Sequence, residues 1–154
     1  AAFMTLHRAG PADIPALLPL VERYWAFEGL DGFQADSLGA ALDRLLASPE
    51  LGAAWMASED RRAVGYLVVV FVFSLEHHGL TAEIDEFFVL EDHRGAGIGS
   101  ALLARAEAES ALRGCSNISL QIGDDDGRAL GFYRRHGYMP RAGFRLLEKD
   151  LPRR

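Results

Sequence analysis

Apolar positions in this chain recur first at helical spacing and later at strand spacing. Residues 4–8 have the length and pattern of a short strand. After them Ile14, Leu17, Leu18, Val21 and Trp25 line one face of a predicted helix. Asp13 stands where a helix cap is expected, and Pro15 falls in the first turn, where its missing N–H is harmless. Glycines at 29 and 32 break this helix. Asp36 or Ser37 begins a second one, with Leu38, Ala41, Leu42, Leu45 and Leu46 on one face, and it stops at Ser48-Pro49.

The pattern then changes to strands. Residues 51–58 and 63–74 flank the polar run Glu59-Asp60-Arg61-Arg62, which reads as a hairpin turn. His77-His78-Gly79 makes a second turn into a strand at 82–90. A glycine-rich loop leads to a helix over 97–113, stopped by Gly114. Ile118, Leu120 and Ile122 alternate along a strand at 117–122, and Asp124-Asp125-Asp126-Gly127 opens a fourth helix ending near Gly137. Residues 144–151 are expected to close the sheet. The order β-α-α-β-β-β-α-β-α-β, with no repeat or linker, implies one α+β domain over 4–154 with a mixed, mostly antiparallel sheet. Ala1-Ala2-Phe3 precede Met4 and read as a cloning remnant, with Met4 the natural start.

Composition narrows the class. The chain has 154 residues, 49% of them hydrophobic and 25% charged, which is ordinary for a globular domain. No apolar run approaches the ~20 residues of a membrane span, and no signal-peptide core follows the first residues. The net charge of -6 disfavours a nucleic-acid partner, which would want a basic stripe. Cys115 is the only cysteine, so no internal disulfide can form and a thiolate zinc site lacks ligands. A reducing, cytoplasmic setting is expected. Following Gly114 and without a nearby histidine, Cys115 reads as a small residue at a strand start and not as a nucleophile. His77 and His78, adjacent in a turn without a third ligand, read as solvated, and no metal is expected.

The candidate chemistry lies in Arg94-Gly95-Ala96-Gly97-Ile98-Gly99, between a strand and a helix. The first turn of a helix leaves N–H groups unpaired and carries partial positive charge, so it attracts phosphate. Glycines let the backbone approach the anion, Ser100 adds a hydroxyl, and Arg94 a guanidinium. A P-loop would need a Lys before Ser100, and there is none. A dinucleotide fold would need G-x-G-x-x-G after a nearly all-apolar parallel strand. Here the spacing is G-x-G-x-G, and the strand before it carries Glu83, Asp85 and Glu86. A third reading of the loop is a site for the pyrophosphate of coenzyme A.

The run from Arg94 to Gly99 resembles the R/Q-x-x-G-x-G/A signature of the GNAT N-acetyltransferases. A second marker of that superfamily follows one helix and one strand later: Ala129-Leu130-Gly131-Phe132-Tyr133, then Gly137-Tyr138. Within the superfamily, Ile84-Asp85-Glu86-Phe87-Phe88-Val89 and the loop after it look most like the polyamine acetyltransferases. The resemblance implies acetyl transfer from acetyl-CoA to a primary amine of a small molecule, by direct attack in a ternary complex. It also admits a homodimer.

The resemblance assigns roles residue by residue. Tyr133 would be the acid that protonates the departing thiolate; the rival reading packs it beside Phe132. The polyamine enzymes' catalytic glutamate falls at Asp85, the first choice for the base, with Glu83 second; a solvated charged face is the rival. Alternation along the strand puts Glu83 and Asp85 on one face and Glu86 on the other. The backbone of Phe88, Val89 and Leu90 would meet the pantetheine arm. Arg94, Gly95, Ala96, Gly97, Ile98, Gly99 and Ser100 would hold the pyrophosphate, with Asp126, Ala129, Phe132 and Tyr133 also beside the cofactor. Asp126 stands where many members have an asparagine, and a carboxylate cannot donate as an amide can. Tyr24, Trp25, Glu28 and Glu76 are candidate walls for the amine, with core packing the rival for the two aromatics. Acidic walls would suit a polyamine-like cation. The alternatives are a non-catalytic acyl-CoA-binding regulatory module and a dinucleotide-binding domain.

Overall fold

Asp60 and Arg61 both adopt left-handed backbone, φ 48° and 70°. That is the geometry of a two-residue hairpin turn whose twist matches its strands. It folds β2 (Gly52–Glu59) onto β3 (Arg62–Ser74), with Glu59 opposite Arg62 and Trp55 opposite Leu67. A second turn returns the chain into β4 (Gly79–Val89), antiparallel to β3. β1 (Met4–Arg8) pairs antiparallel with β2, and β5 (Ile118–Ser119) runs parallel to β4. The sheet is five-stranded and mixed, in the order β1-β2-β3-β4-β5. The α+β architecture expected from the hydrophobic pattern is present.

The structure is a computed structural model in which residues 3–153 are described. They divide into two units, one ending at Leu120 and one beginning at Gln121. The first holds the sheet with α1 (Ile14–Glu28), α2 (Ala35–Leu46) and α3 (Ile98–Leu112). Tyr24 of α1 meets the rings of Tyr66 and Phe88 at 6.3 and 5.8 Å, so α1 covers the face of β3 that bears Tyr66. Leu102 of α3 reaches Gly65, the next position along, so α3 covers the opposite face. Between these layers Tyr66, Leu67 and Val69 are wholly buried. Burial on both faces explains why β2 and β3 read as apolar runs without alternation. Among the described residues, no helix is long and apolar enough to cross a membrane.

Three local expectations are corrected. Asp13 does not cap α1 with its side chain. Its carboxylate instead accepts from the Gly10 N–H at 2.8 Å and lies 3.2 Å from His7 Nε2, because a 3-10 turn, Pro11–Asp13, precedes the helix and offers those groups first. β5 has two residues rather than six, since its ladder with β4 holds only Ala82–Ile118 and Glu83–Ser119. Residues 144–151 form no strand. A strand exists through its ladder partner, and among the described residues of the second unit the only regular element is α4 (Gly127–Arg135). Phe144, Leu146, Leu147 and Leu151 are accordingly exposed. Of the suspected remnant at the start, Ala1 and Ala2 lie outside the described residues.

Candidate active site

The alternation of β4 fails where the acidic residues stand. On β3, Val68 lies opposite Glu86 and Val69 opposite Ile84, so Asp85 is an extra residue with no counterpart. This is a β-bulge, which releases one residue from the ladder and re-aims its side chain. It also overturns the expected facing. Glu83 stands opposite Val70 and Glu86 opposite Val68, so these two glutamates share the face covered by α1, and Asp85 is the one without a ladder partner. Strict period two cannot survive an inserted residue.

Glu86 is held by both oxygens. Trp25 Nε1–H of α1 donates to Oε2 at 2.8 Å, and the Tyr66 hydroxyl of β3 donates to Oε1 at 2.9 Å. Burial pushes the Glu86 carboxyl up, the two donated hydrogen bonds oppose that, and the charge of Asp85 adds to it; the net direction is upward. Asp85 keeps an exposed surface, yet enough protein crowds its carboxyl for desolvation to raise it as well. Tyr66 is raised far above the usual phenol range, first by burial and then by Glu86. No salt bridge reaches Asp85 or Glu86 among the described residues. The site is therefore a bulge carrying two adjacent carboxylates, both biased towards holding a proton more tightly than usual.

Beyond β4 the chain makes a 3-10 turn, Glu91–His93, and enters the glycine loop. Gly95 and Gly97 take φ 81° and 85°, left-handed values that a side chain disfavours. A Cβ at either would meet nothing within 4 Å, so it is the backbone angle and not crowding that demands glycine. Gly97 is the N-cap of α3 and has no side-chain cap. The first helical bond is Ala101 N–H to Gly97 O at 3.0 Å, so the N–H groups of Ile98, Gly99 and Ser100 precede it. A 15-residue helix thus opens on left-handed backbone with no side-chain cap at Gly97, a geometry that accepts a phosphate group.

Arg94 anchors this loop to the strand. Its Nε donates to the Val89 carbonyl at 2.9 Å, and its guanidinium lies 5.0 and 5.5 Å from the rings of Phe27 and Phe88. His93, which no motif marks in the sequence, ties the turn down from the other side. Its Nε2 is 2.6 Å from Glu59 Oε2 and its Nδ1 is 2.9 Å from Asp92 Oδ1. Of the three pantetheine candidates, Leu90 directs its N–H at Val64 O on β3. Phe88, two residues earlier, faces β3 likewise, which leaves Val89 to present its backbone to the outer edge. There β4 pairs with β5 only at Ala82 and Glu83.

The proposed walls are only partly brought together. Trp25 reaches Glu86 and packs edge-on against Phe33 at 6.1 Å, while Tyr24 packs on Tyr66 and Phe88. Glu28 is exposed at the end of α1. Glu76 sits in the turn before β4, 3.6 Å from His77 Nε2. That turn is ~20 Å along the strand from Asp85 at ~3.3 Å per residue, so Glu76 does not join the bulge. In the second unit Asp126 caps α4, its Oδ1 accepting from the Ala129 N–H at 3.0 Å. Both groups are thus engaged with each other. Tyr133 packs edge-on between Phe132 and Tyr138, with centroids at 5.3 and 5.5 Å.

Residues 15–138 match the Acetyltransferase (GNAT) family, well over half of the chain. The chain belongs to that family. Of GNAT and related proteins, an uncharacterized N-acetyltransferase of Methanocaldococcus jannaschii is 42% identical over 57 residues. That match covers 37% of this chain and only 25% of the relative's length. An integron cassette protein from the mobile metagenome of Cole Harbour salt marsh superposes with a TM-score of 0.83 at 29% identity, covering 96% of this chain and 90% of its own. A predicted acetyltransferase from Clostridium acetobutylicum, solved with acetyl-CoA, gives 0.80 at 22% identity over 95% and 96%, a likeness of fold.

In this GNAT chain the loop and the acidic strand are legible in the sequence, whereas the Glu86 clamp and His93 are not. Three acidic residues within four positions signalled chemistry without showing which of them the fold would tie up. Nothing local marked Trp25 and Tyr66 as donors to a residue 61 and 20 positions away.

Proposed function

We propose that the chain moves the acetyl group of acetyl-CoA to a primary amine of a small molecule by direct attack in a ternary complex. The observation that carries this reading is the bulge at Asp85, placed on the strand that runs into the uncapped, left-handed glycine turn. Gly95, Ala96, Gly97, Ile98, Gly99 and Ser100 would hold the pyrophosphate and Val89 the pantetheine arm. Acetyl-CoA supplies an activated thioester. Arg94 keeps the loop on the strand end through Val89 O.

Asp85 is assigned as the base. A lysine-like amine is mostly protonated at neutral pH, and freeing its lone pair costs about 3–5 kcal/mol. Released from the ladder, Asp85 can take that proton directly or through water, and desolvation makes it a stronger base than a free aspartate. Glu83 is the second choice, since it remains in register between β3 and β5. Tyr133 is assigned as the acid for the thiolate, by resemblance to the family's Phe-Tyr marker. A single domain over 4–154 is supported by a family match that spans residues 15–138.

The acceptor is read as a polyamine-like or other cationic amine, because among the described residues no cationic side chain pairs with the two raised carboxylates. A reducing cytoplasm suits the lone thiol of Cys115, which burial raises. The exposed apolar residues Phe144, Leu146, Leu147 and Leu151 favour a homodimer, which light scattering would detect. Initial rates with acetyl-CoA and amine both varied test the mechanism. A ternary complex gives intersecting lines in double-reciprocal plots, and parallel lines would instead mean an acetyl-enzyme.

A further inference from the structure

Glu86 has no task in the reaction as assigned, yet it is the most firmly held acidic side chain of β4. We propose that Glu86 is a positioning residue: by gripping Trp25 of α1 and Tyr66 of β3 together, it locks the bulge and fixes how Asp85 presents its carboxylate. This rests on the reading of Asp85 as the base.

A bulged residue has no ladder partner, so its own pairing does not fix its backbone angles. Its direction must be set by its neighbours. On one side Ile84 is buried and in register with Val69. On the other, Glu86 is in register with Val68 and is also held at its tip by two other elements. Tyr66 stands opposite Phe88, two positions from the Val68–Glu86 pair on the same face, within diagonal reach. Trp25 carries the restraint outwards, because Phe33, in the loop after α1, packs edge-on against its indole. One carboxylate therefore joins the bulge, the sheet and the first helix.

Both donors are neutral, so the lock depends on acceptor geometry and not on charge. Glutamine can preserve it. Its carbonyl oxygen accepts from Trp25 Nε1–H, and its amide donates to the Tyr66 oxygen, which can accept as readily as donate. Alanine preserves nothing and leaves the wholly buried Tyr66 without its acceptor. If Glu86 were itself the base or an ammonium anchor, glutamine would fail as alanine does.

The test compares E86Q and E86A with wild type by steady-state kinetics, using an amine that wild type acetylates, well below each melting temperature. Tryptophan emission is recorded alongside, with W25F isolating the contribution of Trp25 from that of Trp55. E86Q is expected to keep kcat within about threefold. E86A should lose about 10²-fold in kcat, the scale of a 1 Å misplacement, with KM for acetyl-CoA unchanged. Trp25 emission should shift in E86A and not in E86Q. Equal losses in both variants, or full kcat in E86A, would overturn the proposal. Should E86A fail to fold, W25F removes one donor only, and a kcat equal to wild type there overturns it. If wild type acetylates no amine, the assigned function fails instead; unchanged Trp25 emission in E86A would still refute the lock.

Discussion

Replacing Gly97 with alanine isolates what the loop backbone contributes. Gly97 holds φ 85°, and a Cβ there meets nothing within 4 Å, so the substitution introduces no clash. What remains is the cost of left-handed backbone for an L-residue, about 1–2 kcal/mol. The loop can absorb that cost in two ways. It can keep its shape, and the protein loses that much stability; or it can relax, and acetyl-CoA binding weakens by the same amount, roughly 5–30-fold in Kd. The two losses should sum to about 1–2 kcal/mol, measured by urea unfolding and by calorimetric titration with acetyl-CoA. Gly114, at φ 85° with equally open surroundings beyond the other end of α3, is the matched control. G114A should lose stability on the same scale while binding acetyl-CoA as wild type does. Two results refute the reasoning: no change in either quantity for G97A, or the same affinity loss in G114A.

Asp85→Asn should lower kcat by about 10²–10⁴-fold with little effect on KM for acetyl-CoA, read by thiol release. Because burial raises Asp85, the acid limb of kcat/KM in wild type should fall off at a pH above the usual aspartate range of ~3.9, and the limb should be absent in Asp85→Asn. Tyr133→Phe should reduce kcat while leaving the calorimetric affinity for acetyl-CoA intact; equal loss of both would assign Tyr133 to packing. The folded-state pKa of Glu86 is raised, so its ionised form costs stability that the protein regains as pH falls through that value. E86Q should therefore melt above wild type at neutral pH, with the difference closing below pH ~4, as scanning calorimetry would show.

The element order was legible because most of it follows from periodicity and turn chemistry. The polar run at 59–62 announced a tight hairpin, and the glycines at 95 and 97 announced a backbone that side chains disfavour. The bulge was not legible. A bulge residue of this kind needs neither Gly nor Pro, so Ile84-Asp85-Glu86 looks in sequence like any alternating strand, and counting by two put the wrong pair of carboxylates together. The closing strand failed for a related reason. Residues 144–151 have the composition of a strand, but pairing is a property of two segments and cannot be read from one. Asp126 shows the opposite limit: its place before Gly127 already fitted a helix cap, the role its side chain takes in the structure.

Whether an amine accepts the acetyl group of acetyl-CoA on this chain is measured by mass spectrometry of the amine together with thiol titration of CoA, across a panel of polyamines, aminoglycosides and amino acids. An N-acetylated amine is expected, formed one for one with free CoA and lost in Asp85→Asn. Acetyl-CoA binding by calorimetry with no acetylated amine anywhere in the panel would contradict it.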